Sequence, residues 1–152
     1  MRGKYLLWAM PVLFILACNS ESSVRGSDLM PEMAETDSLE LIFFRTPDSP
    51  RYFTYIPTTD KELINALVKD VSSKQQPENP CMKEGKIYCF KKGEIFNTIF
   101  FAYTDPDCRL LRYIKNGKLY YFPLGETVKM KLETYKVAAR EPATTSLRGA
   151  ID

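Results

Sequence analysis

The chain has 152 residues, enough for one domain with a single hydrophobic core, and 45% of them are hydrophobic. Its 21 basic and 19 acidic residues leave a formal net charge of only +2, and no run of Lys or Arg is longer than Lys91-Lys92, so the clustered positive charge that nucleic-acid binding requires is missing. The sequence contains no histidine, which excludes Ser-His-Asp and Cys-His catalytic arrangements and every zinc site that needs imidazole.

The first residues have the layout of an export signal. Arg2 and Lys4 precede an almost uninterrupted apolar run over residues 5–16, and the run ends at Ala17-Cys18. This run is shorter than the roughly 20 residues that a helix needs to cross a bilayer. We therefore predict a cleaved signal over residues 1–17. Its removal takes away two basic residues and leaves 19 basic against 19 acidic ones, so the mature chain is formally neutral.

Ile15-Leu16-Ala17-Cys18 resembles the lipobox of bacterial lipoproteins, in which a signal peptidase cuts before a diacylglyceryl-modified cysteine. The resemblance implies that Cys18 carries fatty acids such as palmitate and that the protein is anchored in the cell envelope, facing the periplasm or the surface. Asn19 stands where an aspartate often retains such proteins in the inner membrane, which favours the outer membrane. The alternatives are an ordinary signal peptide with a chance cysteine and an uncleaved anchor.

The segment after Cys18 is polar and has no sustained apolar period. We predict that residues 18–37 form the lipidated cysteine and a flexible linker. A folded domain is expected over residues 38–140, and a disordered tail over residues 141–152.

The first half of the domain predicts a hairpin followed by a helix. Residues 39–45 and 52–56 are rich in aromatic and β-branched residues and flank a turn over residues 46–50. Thr59 and Glu62 have the spacing of a capping box. Apolar residues then recur at helical spacing, at Leu63, Ile64, Leu67, Val68 and Val71.

The second half predicts a four-strand antiparallel meander. A proline-containing loop over residues 74–84 precedes it. The strand-like runs cover residues 86–91, 95–103, 109–115 and 118–124. Short connections join them, and Asn116-Gly117 is the strongest hairpin signal because both residues tolerate the positive φ of a type I′ turn.

Residues 126–140 fit two patterns. Val128, Met130 and Leu132 alternate with charged residues as in a strand, whereas Val128, Leu132 and Tyr135 share one helical face. Helix propensity favours a helix. The expected fold is therefore a single α+β domain with an antiparallel sheet. A helix followed by a meander is similar in outline to small outer-membrane assembly lipoproteins and β-lactamase-inhibitor-like domains, although here a hairpin precedes the helix.

Three cysteines remain once Cys18 carries lipid, so they cannot all pair within one chain. Cys81 precedes the strand that rises to Lys92-Gly93, and Cys108 follows the strand that descends from it, so both lie at the same end of the sheet. Cys89 lies near the opposite end. We predict a Cys81–Cys108 disulfide with Cys89 as a buried free thiol; the alternative is three reduced, buried cysteines.

The last hairpin is apolar on both faces. Pairing across Asn116-Gly117 places Leu111, Tyr113, Tyr120 and Phe122 on one face, and Leu110, Arg112, Ile114, Leu119 and Tyr121 on the other. One face is expected to pack on the first helix. The other is covered by the second helix, or it is exposed. In the latter case the strip Leu111, Tyr113, Tyr120 and Phe122 would be a binding surface.

These features favour a non-catalytic function. The anchor and the missing histidine indicate an envelope lipoprotein that binds another protein, as a complex subunit or as an inhibitor or immunity protein. No cofactor or metal is expected, since Asp105-Pro106-Asp107 has the composition of a turn and too few oxygen ligands for calcium. The alternative function is binding of a small apolar molecule or glycan by aromatic side chains such as Tyr52, Tyr55, Tyr120 and Tyr121. No nucleophile, base and oxyanion donor can be named together for an enzyme.

Overall fold

The computed structural model describes residues 24–143, so the predicted signal and Cys18 lie outside the described residues. In chain order the elements are α1 (Gly26–Leu29), a 3-10 turn (Pro31–Glu35), β1 (Ser38–Thr46), β2 (Ser49–Thr58), α2 (Lys61–Val71), β3 (Gly85–Lys91), β4 (Glu94–Ala102), a 3-10 turn (Pro106–Cys108), β5 (Leu110–Lys115), β6 (Lys118–Pro123) and α3 (Glu126–Ala138). No helix within this part of the chain is long and apolar enough to cross a membrane.

The six strands form one antiparallel sheet in the order β2-β1-β3-β4-β5-β6. β3 to β6 are the predicted meander, and β1 and β2 are the predicted hairpin. β1 joins the two units because it pairs with β3, with Leu41 opposite Ile87. The α+β prediction is confirmed, and the hairpin, helix, meander and C-terminal helix follow in the expected order.

Tight turns with positive φ set the register of the hairpins. Asn116 and Gly117 have φ values of 52° and 76°, as the type I′ turn requires. Lys92 and Gly93 adopt the same conformation, with φ values of 52° and 83°. In the first hairpin the turn is narrower than predicted, since β2 begins at Ser49 and Asp48 takes the positive φ of 57°.

The first long helix begins one residue later than the capping-box pattern predicted. Asp60, and not Thr59, is the N-cap: its Oδ1 accepts hydrogen bonds from the backbone N–H groups of Glu62 at 2.9 Å and Leu63 at 3.2 Å. Aspartate is as strong an N-cap as serine and stronger than threonine, so it competes successfully for this position. The apolar stripe is confirmed, with buried residues at Leu63, Ile64, Leu67 and Val71.

The ambiguous C-terminal segment is a helix, as its propensity indicated. Val128 and Leu132 are fully buried, whereas Met130, which a strand would have placed with them, is 52% exposed. α3 also contacts the start of α2: Lys131 Nζ lies 2.9 Å from Asp60 Oδ2, and Tyr135 donates its hydroxyl to the same oxygen at 3.1 Å. Asp60 therefore both caps α2 and ties α3 to it.

Replacing Asp60 with alanine is expected to lower the free energy of unfolding by about 1 kcal/mol at neutral pH, the usual cost of a lost N-cap. The hydrogen bond from Lys131 is the largest of the contacts that lower the pKa of Asp60 below its ordinary value. This stabilisation is therefore fully present above the ordinary carboxyl pKa and is lost as the pH falls through the lowered one. Urea unfolding of both proteins over a series of acidic pH values measures the difference.

The Asp60→Asn variant is the matched control, because asparagine caps a helix equally well but cannot form the ion pair with Lys131. It should recover most of the stability lost in the alanine variant. A stability difference between the wild type and the alanine variant that did not change with pH would contradict this account.

The predicted flexible linker is wrong for the residues that the structure describes. Met30 and Met33 are 2% and 1% exposed and belong to the main hydrophobic core. Gly26 donates its backbone N–H to the Ser73 carbonyl at 3.0 Å, and a Cβ on Gly26 would lie 1.5 Å from the Val71 carbonyl oxygen. The segment is polar in composition, but its two methionines fill the core once the domain has formed.

At the other end, the predicted tail contacts the domain where it begins. Arg140 pairs with the backbone of Tyr55 on the outer edge of β2, and Glu141 forms an ion pair with Arg45. Residues 144–152, the rest of the predicted tail, lie outside the described residues.

Candidate binding surface

The two faces of the sheet differ in what covers them. One face, here called the helix side, packs against α2, α3 and the N-terminal segment through Leu41, Ile87, Ile99, Leu111 and Phe122. The opposite face, here called the uncovered face, presents Lys86, Tyr88, Thr98, Phe100, Ile114 and Leu119 by strand register. No helix in residues 24–143 packs on this second face, so it is the candidate binding surface.

The strip suggested as a binding surface for the case that its face is exposed lies on the helix side, which is the covered case that the sequence left open. Leu111 and Phe122 are 0% exposed and belong to the core. Tyr113 and Tyr120 are half-buried against the same core, and the Tyr113 hydroxyl donates to Asn97 Oδ1 at 3.1 Å. The pairing of the strip was right, but both helices lie on its face of the sheet, whereas the sequence left its cover open.

The Cys81–Cys108 disulfide covers one corner of the opposite face. The predicted pairing is confirmed, with the two Cα atoms 5.7 Å apart. The disulfide holds the loop before β3 over Leu110 and Tyr121, which are buried with the two cysteines in a small second cluster. The second apolar face of the last hairpin is therefore covered in part by a loop and not by a helix.

Cys89 is a free thiol, as predicted, and is 0% exposed. Burial raises the pKa of this thiol to about 12, so it stays protonated at neutral pH. A protonated, inaccessible thiol is neither a nucleophile nor a metal ligand. Cys89 therefore acts as a small apolar core residue.

Three cations surround Phe100 on the uncovered face, and this group is called the cation cluster below. Lys86 and Arg112 are the cross-strand neighbours of Phe100 on β3 and β5. Lys83 Nζ lies 5.4 Å from the centre of the Phe100 ring. Lys86 also donates to the hydroxyl of Tyr88 and lies over its ring, at 4.5 Å from the centre. The cluster thus combines positive charge with aromatic surface.

The acidic residues do not neutralise this cluster. Lys83 forms an ion pair with Asp48 at 3.7 Å, but Lys86 and Arg112 have no carboxylate partner among residues 24–143. Glu40 occupies the register position beside Tyr88. The surface therefore has a local excess of positive charge, although the mature chain as a whole is formally neutral.

Arg112 is the buried member of the cation cluster. It is 9% exposed, its Nη2 donates to the Cys81 carbonyl at 2.6 Å, and its guanidinium lies 5.3 Å from the centre of the Tyr121 ring. Its Nε has no hydrogen-bond partner among the described residues. The guanidinium connects the disulfide loop to the sheet through a carbonyl and a ring, and its charge remains uncompensated by any acid in the described chain.

β4 and β5 separate at one end of the sheet and form a fork. Their ladder ends at the pair Ile99 and Tyr113, although both strands continue beyond it. The register of β3 and β4 shifts where Cys89 pairs with Asn97 and Phe90 pairs with Ile95, which leaves Phe96 as an extra, bulged residue. Bulges bend a strand and increase its twist, and this turns the end of β4 away from β5.

A cavity of about 400 Å³ opens at the fork, lined by Ile95, Phe96, Asn97, Thr98, Phe100, Tyr113 and Ile114. Ile95 and Ile114 are 52% and 48% exposed at its rim. Asn97 is buried beside it, and its Nδ2 has no hydrogen-bond partner among the described residues. Burial raises the pKa of Tyr113, and the carboxylate of Glu32 raises it further, so the phenol stays neutral.

The four tyrosines suggested for a ligand cleft do not come together. Tyr52 and Tyr55 lie on β2, and Tyr120 and Tyr121 lie on β6, at the opposite edge of the six-stranded sheet. Tyr120 and Tyr121 also face opposite sides, since neighbouring residues of a strand alternate. No aromatic glycan cleft of that composition exists in the described chain.

The acidic turn stabilises itself. Asp105 Oδ1 accepts the backbone N–H of Asp107 at 2.9 Å, which stabilises the turn that the sequence indicated. Within residues 24–143 no group of three or more Cys, Asp and Glu side chains has the arrangement of a metal site.

Sequence reasoning missed the cation cluster. The predicted meander places β3 and β5 on either side of β4, but it does not give the register that sets Lys86 and Arg112 beside Phe100, nor the position of Lys83 over the ring. Comparison of the chain with family models, curated proteins and solved structures finds no match. The functional argument therefore rests on the geometry of this surface.

Proposed function

We propose that this chain is a lipid-anchored protein of the bacterial cell envelope whose domain binds an acidic protein partner through the cation cluster. The lipobox-like residues that end at Cys18 support the anchor. The protein is non-catalytic in this proposal, as a complex subunit or an inhibitor, and the outer membrane is the favoured location because Asn19 replaces the retaining aspartate.

The carrying observation is the arrangement of charge and aromatic surface around Phe100. Lys86 and Arg112 flank the ring across the sheet and have no acidic partner among the described residues. Buried interfaces favour arginine and aromatic residues, and complementary charges set which partner binds and how fast. A partner that presents carboxylates beside an apolar side chain would match both features.

The charge of the cluster gives a direct test. Reversing it with Lys86→Glu is expected to weaken partner binding by about tenfold or more, equivalent to roughly 1.4 kcal/mol. Lys69→Glu makes the same change of charge on the exposed side of α2 and is the matched control. The Lys69 variant should bind like the wild type.

The partner can be captured in living cells by cross-linking. We expect photoreactive benzoylphenylalanine in place of Tyr88 to give a discrete protein adduct that Lys86→Glu removes and Lys69→Glu does not. The same group in place of Tyr52, which is 61% exposed at the far edge of the sheet, should give no such adduct. Identical adducts at the two positions, or an adduct insensitive to the charge of Lys86, would refute the proposed surface.

The anchor is tested separately. Cells grown with labelled palmitate should yield a labelled protein in the membrane fraction, and Cys18→Ser should abolish both the label and the membrane association. Membrane association without the label would instead indicate an uncleaved apolar anchor.

A further inference from the structure

Three of the seven large apolar side chains that are exposed in the described chain lie near the fork. Ile95, Ile114 and Leu119 are 52%, 48% and 37% exposed, and Ile95 and Ile114 line the 400 Å³ cavity; this group is called the fork patch. Ile114 and Leu119 pair directly across β5 and β6. The two turns nearest the patch carry the exposed lysines Lys92 and Lys118. An apolar patch with lysines at its rim is typical of a surface that contacts lipid.

The N-terminal segment enters the domain at the β6 edge of the sheet and packs on the helix side, whereas the fork patch lies on the uncovered face of the same hairpin. Gln76 pairs with Tyr121 on the edge of β6, and the backbone N–H of the preceding residue, Gln75, donates to the Val24 carbonyl at 3.0 Å. Arg25 pairs antiparallel with Lys74. Residues 74–76 run antiparallel to β6, and residues 24–25 run antiparallel to residues 74–75. The chain followed backward from Arg25 to Val24 therefore runs toward the turn between β5 and β6.

The connection to the predicted lipid is short. Cys18 precedes Val24 by six residues, so the two Cα atoms can be no more than about 22 Å apart whatever the conformation between them. A 19-residue linker would have let the domain move freely above the membrane. The docked segment instead holds the β6 edge close to it.

We infer that the fork patch rests on the lipid surface in which the Cys18 lipid is inserted, so that the sheet stands with its β5–β6 turn toward the membrane. This inference depends on the lipid anchor of the proposed function. The anchor raises the effective concentration of lipid beside the patch, so that the patch binds lipid even if its own affinity for lipid is weak. The cation cluster borders the patch, since Phe100 lines the same cavity, and Arg112 lies two residues farther than Ile114 from the β5–β6 turn.

A single tryptophan can report the contact, because Trp8 is the only tryptophan of the chain and is removed with the signal. We would reconstitute the lipidated Leu119→Trp variant in vesicles of phosphatidylethanolamine and phosphatidylglycerol. Its emission should shift to shorter wavelength and be quenched by brominated lipid. The Thr134→Trp variant, on the exposed side of α3, should show neither effect.

Ile95→Trp provides a second reporter in case the first substitution disturbs β6. Flotation of each variant with the vesicles is measured in the same samples.

Quenching at Leu119 or Ile95 but not at Thr134 supports the inference. Flotation without quenching at either fork position overturns it and leaves the anchor intact. Failure of the chain to float with the vesicles overturns the lipid anchor of the proposed function together with the inference that depends on it. An emission shift that depends on protein concentration and is not accompanied by quenching from brominated lipid would show that a second copy of the chain covers the patch. That result would also overturn the inference.

Discussion

Replacing Phe122 with alanine is expected to lower the free energy of unfolding by about 3–5 kcal/mol, the usual cost of removing a buried phenylalanine ring. Phe122 is 0% exposed in the main core. Its ring also lies close to Gly26, where an added Cβ would be 2.9 Å from Cε1, so the ring supports the docked N-terminal segment. The loss should therefore combine a core cavity with weaker docking of Met30 and Met33. Urea unfolding followed by circular dichroism measures it.

Leu119→Ala is the matched control for this prediction. Leu119 lies on the same strand but on the uncovered face, and its replacement should change the free energy of unfolding by only about 0.5 kcal/mol or less. The two variants thus compare the two faces of one strand. A small effect at Phe122, or an equal effect at both positions, would contradict the burial of the strip.

Removing the disulfide with Cys81→Ser and Cys108→Ser together is expected to cost about 3.5 kcal/mol by the chain-entropy estimate for its loop. The bond spans 27 positions and closes the loop that covers Leu110 and Tyr121. Without it, only hydrogen bonds, such as those from Arg112 to the Cys81 carbonyl and from Asn79 to the Asp107 carbonyl, hold the loop. The conformational entropy of the unfolded chain increases, and the folded loop is no longer linked covalently to Cys108.

Chemical reduction provides the control for the disulfide prediction. A reductant should destabilise the wild type by a similar amount and leave the double serine variant unchanged. The buried Cys89 should remain unreactive to a thiol reagent in the folded state, because burial keeps its thiol protonated. A wild type whose stability does not respond to reduction would contradict the structural role of the bond.

Most elements could be predicted because their signals are local. The Asn116-Gly117 turn requires a conformation that few residue pairs tolerate, and the structure shows it. The stripe from Leu63 to Val71 repeats with the period of a helix and is buried. The disulfide also followed from local information, since the order of strands in a meander decides which cysteines share an end.

The errors arose where several signals competed for one role. Thr59 and Asp60 are both good caps, and the pattern with Glu62 favoured the wrong one. Met30 and Met33 stand alone in a polar segment, so no periodicity marks them as core residues. They are buried because the assembled domain offers an apolar site that no short stretch of sequence reveals.

The sequence by itself determined the strands, the first long helix and the turn at Asn116-Gly117, because each depends on neighbouring residues. It favoured a helix over a strand for residues 126–140 and the Cys81–Cys108 disulfide over reduced cysteines. It also determined, through the absence of histidine, which catalytic groups are excluded. Only the tertiary structure decided which face of the sheet is covered, since alternation fixes that two residues share a face but not what packs on it. That decision buried the strip with Phe122, exposed the fork patch and assembled Lys83, Lys86 and Arg112 around Phe100 from three separate parts of the chain.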